Sequence, residues 1–173
     1  MSRRLSTVRK LEPMKEVSPM NEVSPMNDTE QKLFTQLKQE VFDHLQLYLN
    51  ERGNSTNQYE PKFFERVFFN TVVTRQKFND ALNLILAVKN CETPDALVYE
   101  LTRSFTINKD LQHQAGNNGA HDIGAYGNIL LKCSHLVIES TLSLKVDCKK
   151  LDTLNGVISR IEIFQAIELM GRF

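Results

Sequence analysis

Leu154-Asn155-Gly156-Val157-Ile158-Ser159-Arg160-Ile161-Glu162-Ile163-Phe164 is the stretch on which the fold class turns. With a period of two, Asn155-Gly156 is a hairpin turn and residues 157–164 are a strand rich in β-branched side chains. With a period of 3.6, Leu151, Leu154, Val157, Ile158, Ile161, Ile167 and Leu169 form one helical stripe. The helical reading is favoured here, with the hairpin as its alternative.

Working outward, every other apolar pattern is helical. Asp28-Thr29-Glu30-Gln31 has the form of a capping box, with Asp28 as N-cap and Gln31 reaching back. Leu33, Phe34, Leu37, Val41, Phe42, Leu45, Tyr48 and Leu49 follow at helical spacing, and Gly53 is a plausible stop. Residues 53–59 are a polar loop, and Pro61 suits the first turn of a second helix. From Phe63 to Val88 the pattern is one long helix or two, with a break near Thr74-Arg75. Over residues 63–73 it is apolar nearly all round, which places that stretch in the centre of the core or in a partner interface, the core being favoured. Thr93-Pro94-Asp95 reads as a cap followed by a helix start, giving a short helix with Ala96, Leu97, Leu101 and Phe105. A further helix runs from Ile123 or Ala125 to about Leu144, burying Ile129, Leu130, Cys133, Leu136, Val137 and Leu144. The fold class is therefore all-α: a helical bundle of about five to six helices, a single domain over residues 27–173, with a disordered N-terminal arm over residues 1–26.

The arm carries a hexapeptide repeat, Met14-Lys15-Glu16-Val17-Ser18-Pro19 and then Met20-Asn21-Glu22-Val23-Ser24-Pro25. A proline in each copy is incompatible with a continuous helix, and the apolar content is too low to fold alone. Ser6, after Arg3-Arg4-Leu5, and Ser18 and Ser24, each before a proline, are candidate modification sites at which phosphate would add charge. The arm holds five Lys/Arg and three Glu, a net +2; the whole chain is formally +0, so the rest is −2.

That balance argues against a general polyanion binder, although it allows a local basic face. An apolar share of 41% in 173 residues suffices for one core. No apolar run approaches the roughly 20 residues that span a bilayer, so no membrane is expected. Three scattered cysteines, Cys91, Cys133 and Cys148, are no disulfide framework and suit a reducing, intracellular and cytoplasmic setting. Cys133 and His135 stand two apart on a helix and face different ways, so no metal site is expected. No phosphate loop or other cofactor motif occurs, and the expected cofactor is none.

The chemistry concentrates in His113-Gln114-Ala115-Gly116-Asn117-Asn118-Gly119-Ala120-His121-Asp122, between two helices. The glycines and asparagines accept positive φ, and Asp122 suits a cap on the following helix. The plain reading is an interhelical connection. The functional one starts from His121, which can exchange protons near neutral pH beside the N–H groups of a helix start. His113, Asn117, Asn118 and Asp122 would bind the same ligand.

Residues 116–122, with the helix carrying Ala125, Leu130 and Val137, resemble the signature helix of HEPN domains (higher eukaryote and prokaryote nucleotide-binding), closest to branches with a GN-x-AAH sequence. The likeness covers about 25 residues. It implies a small, usually dimeric helical bundle, either a metal-independent endoribonuclease or a non-catalytic member of a stress or defence pathway. The family histidine and asparagine carry over onto His121 and Asn117. The family arginine, separated from the histidine by four to six residues, is replaced by Gln114, Ala115 and Gly116, with His113 slightly further back. The expectation is therefore a non-catalytic interaction or regulatory module. It would bind RNA or a protein partner, or self-associate through an apolar helix face. The alternative is a ribonuclease with His121 as acid/base and His113 in place of the arginine.

Overall fold

A computed structural model describes residues 25–116 and 123–171. The described residues form six helices: α1 (Asp28–Arg52), α2 (Phe63–Phe68), α3 (Thr71–Asn90), α4 (Pro94–Gln114), α5 (Gly124–Ser140) and α6 (Cys148–Met170). Beyond one isolated bridge between Gly53 and Tyr59 they hold no β-pairing. The fold is all-α, and Asn155-Gly156 lies within α6 and forms no hairpin. The expected arm, with Ser6, Ser18 and Ser24, falls almost wholly on residues 1–24, outside the described part.

By its contacts the chain divides into two units, Met1–Gln31 and Lys32–Phe173. The described residues of the first contain the entry to α1. The Asn27 amide donates to Glu30 Oε1 at 3.0 Å, and the Glu30 amide donates to Asn27 Oδ1 at 2.8 Å. This is a reciprocal capping box one residue earlier than expected: Asn27 and Glu30 hold the places assigned to Asp28 and Gln31.

In the second unit α4 is the hub, packed against α3, α5 and α6. Leu97, Val98, Leu101 and Phe105 of α4 are buried with Phe78, Ala81, Leu84 and Val88 of α3 and Leu130, Cys133 and Val137 of α5. α6 contributes Leu154, Ile158 and Ile161. Each fully buried large aliphatic side chain contributes about 1.5–3 kcal/mol. From α1, Phe34, Leu37, Val41, Leu45, Tyr48 and Leu49 are buried. The Tyr48 ring lies 5.2 Å from that of Tyr126 on α5, and Lys38 Nζ donates to the Cys91 carbonyl at 2.7 Å just past α3.

Local chemistry sets most boundaries. Thr93 Oγ1 accepts from the Ala96 amide at 3.2 Å with Pro94 in the first turn, as the sequence indicates. Asp147 caps α6 through the Lys149 amide at 2.8 Å, and its own amide donates to Asp95 Oδ1 at the start of α4. The break in the long apolar stretch falls earlier than Thr74-Arg75. Phe69 is extended, and Asn70 caps α3 by accepting from the Val73 amide at 3.1 Å. α4 is not short: it runs to Gln114, because no residue between Phe105 and Gly116 stops it. α5 ends at Ser140 rather than Leu144, and Ile129 and Leu136 are half-buried while Tyr126 and Gly127 are buried.

Candidate functional site

The polar knot separates into a described rim and an undescribed centre. His113 and Gln114 form the last turn of α4 and are exposed. Gly116, at φ +87, ends the helix, and its amide donates to the His113 carbonyl at 3.0 Å. Asn117, Asn118, His121 and Asp122 lie outside the described residues. The chain resumes at Ile123, which occupies the N-cap position of α5 with no side-chain bond. Asp122, expected as that cap, precedes the position.

Behind this rim runs a buried polar ladder. Ser104, Asn108 and Gln112 recur every four residues and are all buried, continuing the face that begins with Leu97 and Leu101. At its upper end Lys77 of α3, only 7% exposed, donates to Gln112 Oε1. Gly124 has φ +71, and a Cβ there would stand 3.1 Å from Lys77 Nζ and 3.6 Å from the Gln112 amide group. The first residue of α5 is thus held close to both side chains by having none of its own. Among the described residues Lys77 is the one buried cation.

One turn deeper, Asn108 Nδ2 donates to the Ile123 carbonyl at 2.9 Å, while its Oδ1 has no partner among the described residues. Gly127 lets this approach happen: a Cβ there would fall 2.4 Å from Ile123 Cβ and 2.9 Å from Asn108 Nδ2. Below it, the Tyr126 hydroxyl donates to Asp80 Oδ2. Arg103 Nη1 lies 3.6 Å from Asp80 Oδ1, and Arg103 Nη2 lies 2.9 Å from Glu100. Burial and the facing Asp80 charge hold the Tyr126 phenol far above its ordinary range, so it stays a donor. Burial works against the Arg103 charge, but Glu100 and Asp80 outweigh it and raise its affinity for the proton.

The ladder was within reach of sequence reading, as Ser104, Asn108 and Gln112 share the spacing of the apolar stripe before them. Its partners Lys77, Asp80 and Tyr126 come from two other helices, and nothing local announces them. The arrangement places the Asn108 and Gln112 amides and the Lys77 cation against Ile123 and Gly124, where the described chain resumes. Among the described residues no group of three His, Cys, Asp or Glu side chains is placed to hold a metal ion. No helix among them is long and apolar enough to cross a membrane.

A second feature lies on α2. Glu65 faces inward, 3% exposed: its carboxylate accepts from the Lys62 amide at 2.7 Å and lies 3.9 Å from Arg52. Phe63 and Phe68 are 77% and 78% exposed, and Phe64, Val67, Phe69 and, on α3, Val72 are exposed with them. The helix is inside out, with its acid in the body and its rings in solvent. This corrects the expectation that residues 63–73 form core; within that stretch Val73 and Glu65 are the buried residues. Phe64 and Phe69 meet edge to face at 6.2 Å, joining the helix to the residue that follows it.

Comparison with family models, with curated proteins and with solved structures finds no match to this chain.

Proposed function

We propose that this chain is a helical interaction module that docks a protein partner through the outward face of α2 and the first turn of α3. One observation carries the reading: Phe63, Phe64, Val67, Phe68, Phe69 and Val72 are exposed together on a segment whose only acid is turned inward. Contiguous apolar surface of this size on a folded protein is characteristic of interaction sites. The HEPN-like knot makes RNA a further candidate ligand and a stress or defence pathway the setting. The test compares tagged wild type with Phe63→Asp/Phe68→Asp in quantitative pull-downs. Partners retained by wild type and lost by the variant are the expected result; identical sets would overturn the reading.

A second reading is a metal-independent endoribonuclease with His121 as acid/base. Lys77 supports it, because it supplies from α3 a cation beside Gln112 and Gly124, near the loop's two ends, where the family arginine is missing from the sequence. Incubation with single-stranded and structured RNA in EDTA should then show cleavage by wild type and none by His121→Ala. Lys77→Met should cleave at least tenfold more slowly. Cleavage equal in wild type and His121→Ala would end this reading.

A further inference from the structure

The charges of α2 are arranged as unevenly as its rings. With Glu65 marking the inward direction, a rotation of about 100° per residue places Phe63 and Val67 about 160° away from it, facing straight out. Phe64 and Phe68 fall on one flank of that line. Lys62, at the N-cap, and Arg66 fall together on the other flank, four residues apart. All six side chains are exposed. The outward face therefore runs from an aromatic edge, through Phe63 and Val67, to a basic edge.

The acids close to this face are turned away from it or are few. The Glu65 carboxylate accepts from the Lys62 amide at 2.7 Å and lies 3.9 Å from Arg52, and Glu51 lies 4.0 Å from the same guanidinium. Over residues 53–79, exposed Lys62, Arg66 and Arg75 stand against one exposed acid, Glu60. Arg75 is held over the Tyr59 ring at 4.9 Å. Lys62 and Arg66 take part in no ion pair among the described residues.

We infer that the occupant of this face is an amphipathic helix of another protein, with acidic residues along one side of its apolar stripe. The inference rests on the reading of α2 as a docking face and adds the chemistry of what docks there. Charge selects the acids. Two carboxylates four residues apart on a helix match the spacing of Lys62 and Arg66, while the apolar stripe beside them covers Phe63, Val67 and the aromatic edge. A basic segment would meet repulsion along the same edge. Fold selects the helix. An extended peptide gains its affinity by adding to an exposed sheet edge, and the described residues form no sheet. Area agrees with a separate partner. At about 200 Å² per aromatic side chain, the observed exposures give roughly 600 Å² of apolar surface, most of the roughly 800 Å² that one partner brings to a standard interface.

The experiment is selection from a display library of random peptides of about 16 residues, long enough for roughly four helical turns. The baits are full-length wild type, Phe63→Asp/Phe68→Asp and Lys62→Glu/Arg66→Glu. Wild type should enrich peptides with apolar residues at helical spacing and Asp or Glu along one side. The leading peptide, synthesised and followed by fluorescence anisotropy, should bind Lys62→Glu/Arg66→Glu roughly tenfold more weakly than wild type. Replacing its acids by Lys should reverse that preference, which a face damaged by the substitutions would not do. Peptides that depend on Phe63 and Phe68 but carry no excess of acids overturn the inference and leave α2 a docking face. Peptides that bind Phe63→Asp/Phe68→Asp as well as wild type overturn the inference and the reading beneath it. No enrichment overturns the inference alone, since the pull-down decides the reading by itself. Light scattering that gives wild type the mass of two copies, and Phe68→Asp that of one, puts a second copy on the face. Sedimentation with phosphatidylserine vesicles, abolished by the same substitution, puts a lipid surface there. Either result overturns the inference.

Discussion

Tyr126 on α5 and Asp80 on α3 meet at 2.5 Å, phenol oxygen to carboxylate oxygen, with Tyr126 fully buried and Asp80 nearly so. The bond ties two helices that share no sequence neighbourhood, and among the described residues it is one of two hydrogen-bonding or ionic contacts to Asp80, the other being Arg103 at 3.6 Å. Tyr126→Phe keeps the ring against Tyr48 and removes the donor. It should cost about 1–3 kcal/mol, the penalty for leaving a buried acceptor short of a partner, read as a lower urea midpoint with unchanged slope.

Two glycines inside helices should respond in opposite directions to alanine. Gly127→Ala drives a methyl into Ile123 and Asn108 and should destabilise by about 1–3 kcal/mol. Gly156 has nothing within 4 Å of its would-be Cβ and sits in the middle of α6. Gly156→Ala should therefore stabilise by about 0.5–1 kcal/mol. Thermal midpoints of the two variants, measured together, check both signs.

Stability should fall in alkali. Burial pushes the Cys133 thiol from 9.0 up to about 12 and raises Tyr126 well above 10.0. The unfolded chain releases these protons near pH 9 and 10, while the folded chain retains them. The stabilisation is intact below pH 9 and is lost as the pH climbs from there toward the folded values, at up to about 1.4 kcal/mol per pH unit for each group. Urea titrations between pH 8 and 11 should show this slope in wild type. Tyr126→Phe and Cys133→Ala should each flatten it.

Asn70 separates α2 from α3, so its cap decides whether two helices or one emerge from the apolar stretch. Asn70→Ala should cost about 0.5–2 kcal/mol. Hydrogen exchange should localise the loss to the first turn of α3, at Val73 and Thr74, leaving α4 untouched.

What the sequence disclosed follows from how local each cause is. Thr93-Pro94 was legible because a cap and a proline act within four residues. The helical reading of residues 151–169 held because a stripe that long outweighs one Asn-Gly pair. The capping box at Asn27 was displaced by one position because Asn and Asp cap almost equally well. The orientation of α2 was not legible. Its composition suits a core helix, and what turns the rings outward is Glu65 capping Lys62 and meeting Arg52, a residue thirteen positions away. Of the candidate site, the His113 rim and the glycine at its edge were readable. Lys77, Asp80 and Tyr126 were not, because the three join only when α3, α4 and α5 pack.

The inverted α2 also bears on the life of the folded protein. A newly made copy that is fully folded still displays four phenylalanines of α2 and its C-terminal neighbour to solvent. To a chaperone or a protease that surveys exposed aromatic surface, such a copy is indistinguishable from one still folding. If α2 docks the partner proposed above, the lifetime of each copy should be set by how quickly it is claimed, so that the amount of protein tracks the amount of that partner rather than the rate of synthesis alone.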